Sequence, residues 1–255
     1  MKKIAIITGA SSGIGREFVK LLLKEKEIHE IWAIARNKEK LDRLKKRYGE
    51  KVKTFSVDLS ELDAILEFAE IIKRKNPRIK YLINSAGYAK FCSYQELSAE
   101  QTVNMIDVNC SAVTAMSLLS IPYMGKGSHI LNLSSQASFQ PLPYQNVYSS
   151  TKAFVRNYSR ALNVELKERG ISVTAVCPGW MRTALYRRAI IGAEKTVNNF
   201  CGMSRPGNVA AKALRDAKRN RDMSVYGMYV RTAHLAAKIL PQKLMMKLWM
   251  MQQNF

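Results

Sequence analysis

Tyr148 and Lys152, four positions apart in Tyr148-Ser149-Ser150-Thr151-Lys152, carry the most specific chemistry in the sequence. On a helix, positions i and i+4 share a face, so the phenol and the ammonium can point into one cleft. A free tyrosine titrates near ~10, too high to exchange a proton readily at neutral pH. A fixed cation beside it is expected to lower that value and make Tyr148 a usable acid or base. The same spacing also describes an ordinary surface helix, and the chain just upstream argues against that. Ile130-Leu131-Asn132-Leu133-Ser134-Ser135 reads as a strand ending in a hydroxyl. Carboxyl ends of strands are where an open parallel sheet places its ligands. Ser135 is the expected partner; Ser134, the adjacent alternative, should point to the opposite face.

A second pattern suits an anion. Thr8-Gly9-Ala10-Ser11-Ser12-Gly13-Ile14-Gly15 follows the apolar run Lys3 to Thr8 and leads into a helical pattern of Ile14, Phe18, Leu21 and Leu22. Gly9 permits a sharp turn, Gly13 lets the backbone approach a pyrophosphate, and Gly15 lets helix and strand pack closely. Ser11, Ser12 and Ile14 belong to the same cradle, where the helix N-terminus offers free N–H groups. At the end of the second apolar run stands Ala35-Arg36, where an acidic residue would bind the ribose hydroxyls of NAD. A guanidinium there pairs with a 2′-phosphate and stacks on adenine, so the expected cofactor is NADP(H) rather than NAD(H).

The elements that must hold these groups alternate along the chain. Short β-branched runs at Lys3 to Thr8, Glu30 to Ala35, Val52 to Val57, Tyr81 to Asn84, His129 to Ser134 and Ile171 to Val176 are separated by stretches of helical period. Met223 to Val230 is the expected last strand. Strands apolar on both faces and joined by helices call for a parallel sheet with helices on either side, a doubly wound α/β fold. No repeat or linker divides the chain, so residues 1–255 are expected to form a single domain. Within it, 180–206 would be a substrate lid and 231–255 a basic, amphipathic C-terminal extension.

Together these motifs resemble the classical short-chain dehydrogenase/reductase family over Lys3 to about Thr183. Asn84-Ser85-Ala86-Gly87 is similar to the family's Asn-Asn-Ala-Gly turn, with Ser85 as a departure. Asp58-Leu59 resembles the pair that contacts adenine, and Pro178-Gly179 with Thr183 resembles the segment that holds the nicotinamide carboxamide. Ser135 matches the catalytic serine. Asn109 resembles an asparagine that holds a water between the lysine and solvent, although a structural role is as common for such an Asn. The resemblance implies a Rossmann-type sheet and hydride transfer between a nicotinamide and a carbonyl or secondary alcohol, with catalytic residues Asn109, Ser135, Tyr148 and Lys152. It also implies a homodimer or homotetramer.

Substrate identity rests on less specific segments, which offer Phe91, Phe139, Leu142, Tyr144, Trp180, Met181, Leu185 and Tyr186. Such a lining suits a bulky hydrophobic ketone or alcohol, a hydroxysteroid or other lipid-like molecule. A 3-oxoacyl (carrier-protein or CoA) reductase is the alternative enzyme, and an NADP-sensing regulator the alternative without chemistry.

With 41 Lys and Arg against 20 Asp and Glu, the net charge of +21 favours anionic partners. The basic residues are spread over many helices and form no recognised nucleic-acid module, so nucleic acid is not expected. Cys92, Cys110, Cys177 and Cys201 are too scattered for a disulfide framework or a metal site, which fits a cytoplasmic protein with no metal. Val108 to Gly125 holds 18 uncharged residues, long enough to cross a membrane. Its Asn, Ser and Thr content makes a buried or subunit-facing helix the better expectation. The C-terminal stretch Ala233 to Met251, broken at Pro241, carries Leu235, Ile239, Leu244, Leu248 and Met251 beside Arg231, Lys238, Lys243 and Lys247. It could lie on an anionic membrane, dock on the core or a second subunit, or attract an acidic carrier protein.

Overall fold

In the computed structural model, which describes residues 1–194 and 196–254, seven parallel strands form one sheet in the order β3-β2-β1-β4-β5-β6-β7. They are β1 (Lys3–Thr8), β2 (Glu30–Ala35), β3 (Val52–Ser56), β4 (Arg78–Asn84), β5 (His129–Leu133), β6 (Ser172–Cys177) and β7 (Met223–Val225). The helices are α1 (Gly13–Leu22), α2 (Lys38–Tyr48), α3 (Leu62–Lys75), α4 (Ala99–Ile106), α5 (Ala112–Ser120), α6 (Asn146–Glu165), α7 (Ala184–Ala189), α8 (Pro206–Lys218), α9 (Met228–Ile239) and α10 (Gln242–Gln253). Lys195 of the expected lid and Phe255 of the expected extension lie outside the described residues.

The alternation of β1 shows how the two layers are filled. Ala5 and Ile7 point into a cluster with Phe18 and Leu22 of α1 and Val209 and Ala213 of α8. Ile4 and Ile6 point the other way, toward Ile65 and Phe68 of α3 and Met116 of α5. Successive side chains leave a strand on opposite faces, so a strand apolar at every position must be covered on both sides. The strand order reverses between β1 and β4, which leaves a crevice above their carboxyl ends.

Three sequence expectations change. The last strand stops at Val225 because Gly227, at φ +92°, turns the chain into α9, whose first turn contains Met228, Tyr229 and Val230. A short apolar run does not by its period distinguish strand from helix. β4 begins at Arg78, which pairs with Lys3, earlier than the apolar run indicates. The uncharged stretch after Val108 is not one regular helix: Asp107–Ser111 forms a π-helical turn between α4 and α5. The span Ala99–Tyr123 is long and apolar enough to cross a membrane, yet half of its most apolar window is buried, with Ser117 and Ser120 inaccessible against the sheet.

Candidate active site

Hydrogen bonds on the buried face of α6 fix how this helix meets the sheet. Asn84 of β4 donates to Asn132 of β5 (2.9 Å), and Asn132 donates to Ser159 of α6 (3.0 Å). Ser134 Oγ donates to the Lys152 carbonyl (2.7 Å), which draws the first half of the helix onto the end of β5. Tyr148 and Lys152, one turn apart, therefore share the helix face that looks across the strand ends, both largely buried. Ser134 and Ser135 divide as the alternation of a strand requires. The first secures the helix, while the second caps the short turn Gln136–Ser138, its Oγ accepting from the Ala137 N–H (3.1 Å).

Tyr148, Lys152 and Ser135 line one cleft of about 780 Å³ that opens to solvent. Burial raises the Tyr148 pKa above its ordinary value, and the neighbouring Ser135 hydroxyl pulls the other way. The expectation that Lys152 lowers it is corrected. The Lys152 ammonium donates to the Leu133 carbonyl (2.9 Å) and stands 5.7 Å from the centre of the Tyr148 ring. Its own desolvation dominates, pushing its pKa down to about 8.

Asn109 lies in the π-helical turn and is fully buried. Its Oδ1 accepts from the Tyr88 N–H (3.1 Å), and its Nδ2 donates to the Tyr88 carbonyl (3.0 Å) and Thr151 Oγ1 (3.1 Å). The side chain thus clamps the turn after β4 to α6. Gly87 makes this approach possible, since a Cβ there would stand 2.8 Å from Asn109 Oδ1 and 3.4 Å from Lys152 Nζ.

The glycine loop sits beside this group. Gly9 has φ +64°, and a Cβ on it would meet the Ala86 backbone at 2.8 Å. A Cβ on Gly15 would collide with the Gly9 carbonyl, so helix and strand close up only with glycine. Gly13, also at positive φ, faces Thr183 across a gap, 3.6 Å from its ideal Cβ position to Thr183 Cγ2. Ser12 precedes α1 without capping it, so its side chain does not occupy the free N–H groups of the first turn. Ser11 lies in the same loop. These features fit a pyrophosphate: a cradle kept free of Cβ atoms, ending in unpaired donors. Ser85, where the turn departs from its expected pattern, donates to the Thr8 carbonyl, and its N–H and that of Ala86 both bond Thr8 Oγ1 (3.0 Å each).

Ile14, Ala86, Gly87, Pro178, Gly179 and Thr183 line the cleft with the catalytic candidates. Asn84 and Leu59 do not present their side chains there: the Asn84 amide is buried in the bonds to Asn132 and Ser117, and Leu59 packs in the core. Arg36 lies outside the lining, at the end of β2, with a guanidinium nitrogen 3.7 Å from Asp58. Burial works against the Asp58 carboxylate, but the Ser60 amide and hydroxyl and Arg36 outweigh it and hold its pKa below the usual value.

Of the proposed substrate contacts, Phe91, Leu142, Trp180, Met181, Leu185 and Tyr186 line the cleft, and two do not. Phe139 packs away from it with Ala175, Cys177 and Val230, its ring 4.1 Å from that of His234. Tyr144, at a left-handed backbone position (φ +61°), is absent from the lining. Gln136, Gln145 and Trp249 line it unanticipated. Trp249 comes from α10, where Met245, Trp249 and Gln253 form a buried stripe four residues apart that the sequence displays. Its Nε1 donates to the Pro143 carbonyl (3.1 Å), and Gln253 Oε1 accepts from the Asn198 and Asn199 N–H groups (3.0 Å each). The C-terminal helix is therefore docked on the core. The segment from Trp180 leaves and returns at one point, where Ser204 N–H bonds the Trp180 carbonyl (2.8 Å) and Arg182 N–H the Ser204 carbonyl (3.0 Å).

Among the described residues, no group of three or more His, Cys, Asp or Glu could hold a metal. Residues 3–191 match the short chain dehydrogenase family. An uncharacterised oxidoreductase of Staphylococcus epidermidis is 30% identical over 196 residues, spanning 76% of this chain and 84% of its own. A short-chain dehydrogenase from Sphingobium yanoikuyae, solved in complex with NADPH, superposes with a TM-score of 0.79 at 30% identity, covering 96% of this chain and 95% of its own. A bulky-bulky ketone specific alcohol dehydrogenase from Comamonas testosteroni superposes at 0.74 with 25% identity, covering 96% and 94%.

Proposed function

The chain belongs to the short chain dehydrogenase family of oxidoreductases, and from that premise we propose that it interconverts a bulky hydrophobic ketone and its secondary alcohol using NADP(H). The observation that carries this reading is the convergence of the Ser135 and Tyr148 hydroxyls and the Lys152 ammonium in one cleft beside a glycine-lined anion cradle.

In the reducing direction, Ser135 and Tyr148 both hydrogen-bond the substrate's carbonyl oxygen. When bound, the nicotinamide supplies the hydride that the carbonyl carbon accepts. Tyr148 releases its phenolic proton to the oxygen as negative charge gathers there, and Ser135 stabilises that charge. Burial, by keeping the phenol protonated at neutral pH, suits the donor role. Lys152 holds positive charge behind Tyr148, and Asn109 positions it through Thr151 and the Gly87 turn. Oxidation reverses each transfer.

Arg36 supports NADP(H), as its exposed guanidinium needs only to exchange a weak partner, Asp58, for a phosphate. The similar Sphingobium enzyme was solved with NADPH. The apolar wall of Phe91, Leu142, Trp180, Leu185 and Trp249, with Gln136 and Gln145 as polar anchors, supports a bulky ketone. Ile106, Leu118 and Phe154 leave an exposed apolar groove on α4, α5 and α6, which supports self-association. Nicotinamide absorbance followed with steroid, acyl and aliphatic ketones, for the wild type and Tyr148→Phe, tests the reaction. Turnover that survives unchanged in the variant overturns it.

A further inference from the structure

We propose that α9 and α10 form a docking surface for an anionic lipid bilayer and that a hydrophobic substrate passes between these helices into the cleft. The inward side of α10 carries Met245, Trp249 and Gln253. Its outward side leaves Leu244, Leu248 and Met251 exposed, and α9 leaves Leu235 and Ile239 exposed, each set at a spacing that forms a stripe on its own helix. These five side chains are 42–71% accessible, a concentration of large apolar groups with no covering element among the described residues. Gln252 Nε2 of α10 donates to the Tyr229 hydroxyl of α9 (3.0 Å), which ties the two helices together.

Charge selects the occupant. Arg231, Lys238, Lys243 and Lys247 flank the stripes, and no Asp or Glu occurs from Met223 onward. Long basic side chains lay their stems along apolar surface and lift their charges to the headgroup level, while Leu, Ile and Met enter the acyl boundary. Behind this surface lies a second cavity of about 670 Å³, also open to solvent. It is bounded on the outside by Tyr229 and Leu248 and shares Gln136, Leu142, Trp180 and Trp249 with the catalytic cleft. Trp180 and Trp249 thus stand as a partition between a membrane-facing vestibule and the reacting groups.

Flotation with phosphatidylcholine vesicles, with and without phosphatidylglycerol, tests this without cofactor or substrate and so independently of the proposed reaction. The wild type should float with the anionic vesicles at low salt and less at moderate salt. Lys243→Gln with Lys247→Gln should weaken the association about thirtyfold, at about fivefold for each lysine near the surface. Leu244→Ser with Met251→Ser should also detach it, while Lys46→Gln with Lys167→Gln, far from these helices, should not. Wild type left unbound by anionic vesicles overturns the proposal, as it would be if an acidic protein were the true occupant. Equal losses from both lysine pairs also overturn it, since diffuse charge would then be responsible.

Discussion

The cradle at β1 and α1 and the cap formed by α7 and α10 bound the same cleft by different means. In the cradle, position follows from backbone: Gly9 and Gly15 are where a Cβ would strike the chain a few residues away or the turn after β4. In the cap, position follows from side chains that reach far along the chain. Trp249 bonds a carbonyl 106 residues earlier, and Gln253 holds the segment at Asn198 and Asn199. The first device is rigid and indifferent to the molecule being transformed; the second can be re-cut for another substrate without disturbing the first. If so, changes in the cradle should move dinucleotide affinity, and changes in the cap should move substrate affinity.

Between the two stands the reacting group, where the largest effect is expected. Tyr148→Phe should lower ketone reduction by about 10²–10⁴-fold, the range for a lost general acid, with NADPH affinity near the wild-type value by fluorescence titration. Trp249→Ala should cost about 3–5 kcal/mol in urea unfolding, as for other large core truncations. It should raise KM for ketone while leaving NADPH binding intact; a matching loss of NADPH affinity would break the division. Gly9→Ala tests the other side, with about 1–2 kcal/mol of left-handed strain added to the clash with Ala86, and its main reading should be weaker NADPH binding. Arg36→Ser should weaken NADPH by about 1.5–3 kcal/mol, the worth of charged hydrogen bonds, and leave NADH nearly unchanged.

The smallest effect concerns pH. The folded pKa of Lys152 lies near 8, below its unfolded value. Below pH 8 both states are protonated and the fold bears the full cost of burying the charge. Between there and the unfolded pKa the unfolded chain binds more protons, so this group's contribution to stability rises with pH. Lys152→Met should therefore show its greatest relative gain in the urea midpoint at pH 7 and a smaller one at pH 10.

The contrast between cradle and cap also explains what the sequence disclosed. Gly9, Gly13 and Gly15 are legible because their requirement is local, and the Tyr148 to Lys152 spacing because a helix repeats. The sheet's alternation separated Ser135 from Ser134 for the same reason: both border the cleft, but the Ser134 hydroxyl is committed to the Lys152 carbonyl. Side-chain direction at the ends of strands is another matter. Leu59 and Asn84 turn into the core, and Phe139 packs beneath α9, because of neighbours distant in the chain. The Tyr148 pKa escaped as well: the nearby cation was visible in the spacing, but burial is a property of the whole fold.

The π-helical turn at Asp107–Ser111 is wider than the helix on either side of it. Removing one residue there would let α4 run straight into α5 and turn the side chains within the π-helical turn away from their present directions, by up to about 100°, the step of one residue. Asn109 would then lose Tyr88 and Thr151 together. A single surplus amino acid thus acts as a shim, and a deletion that tidied the helix would cost the enzyme its alignment.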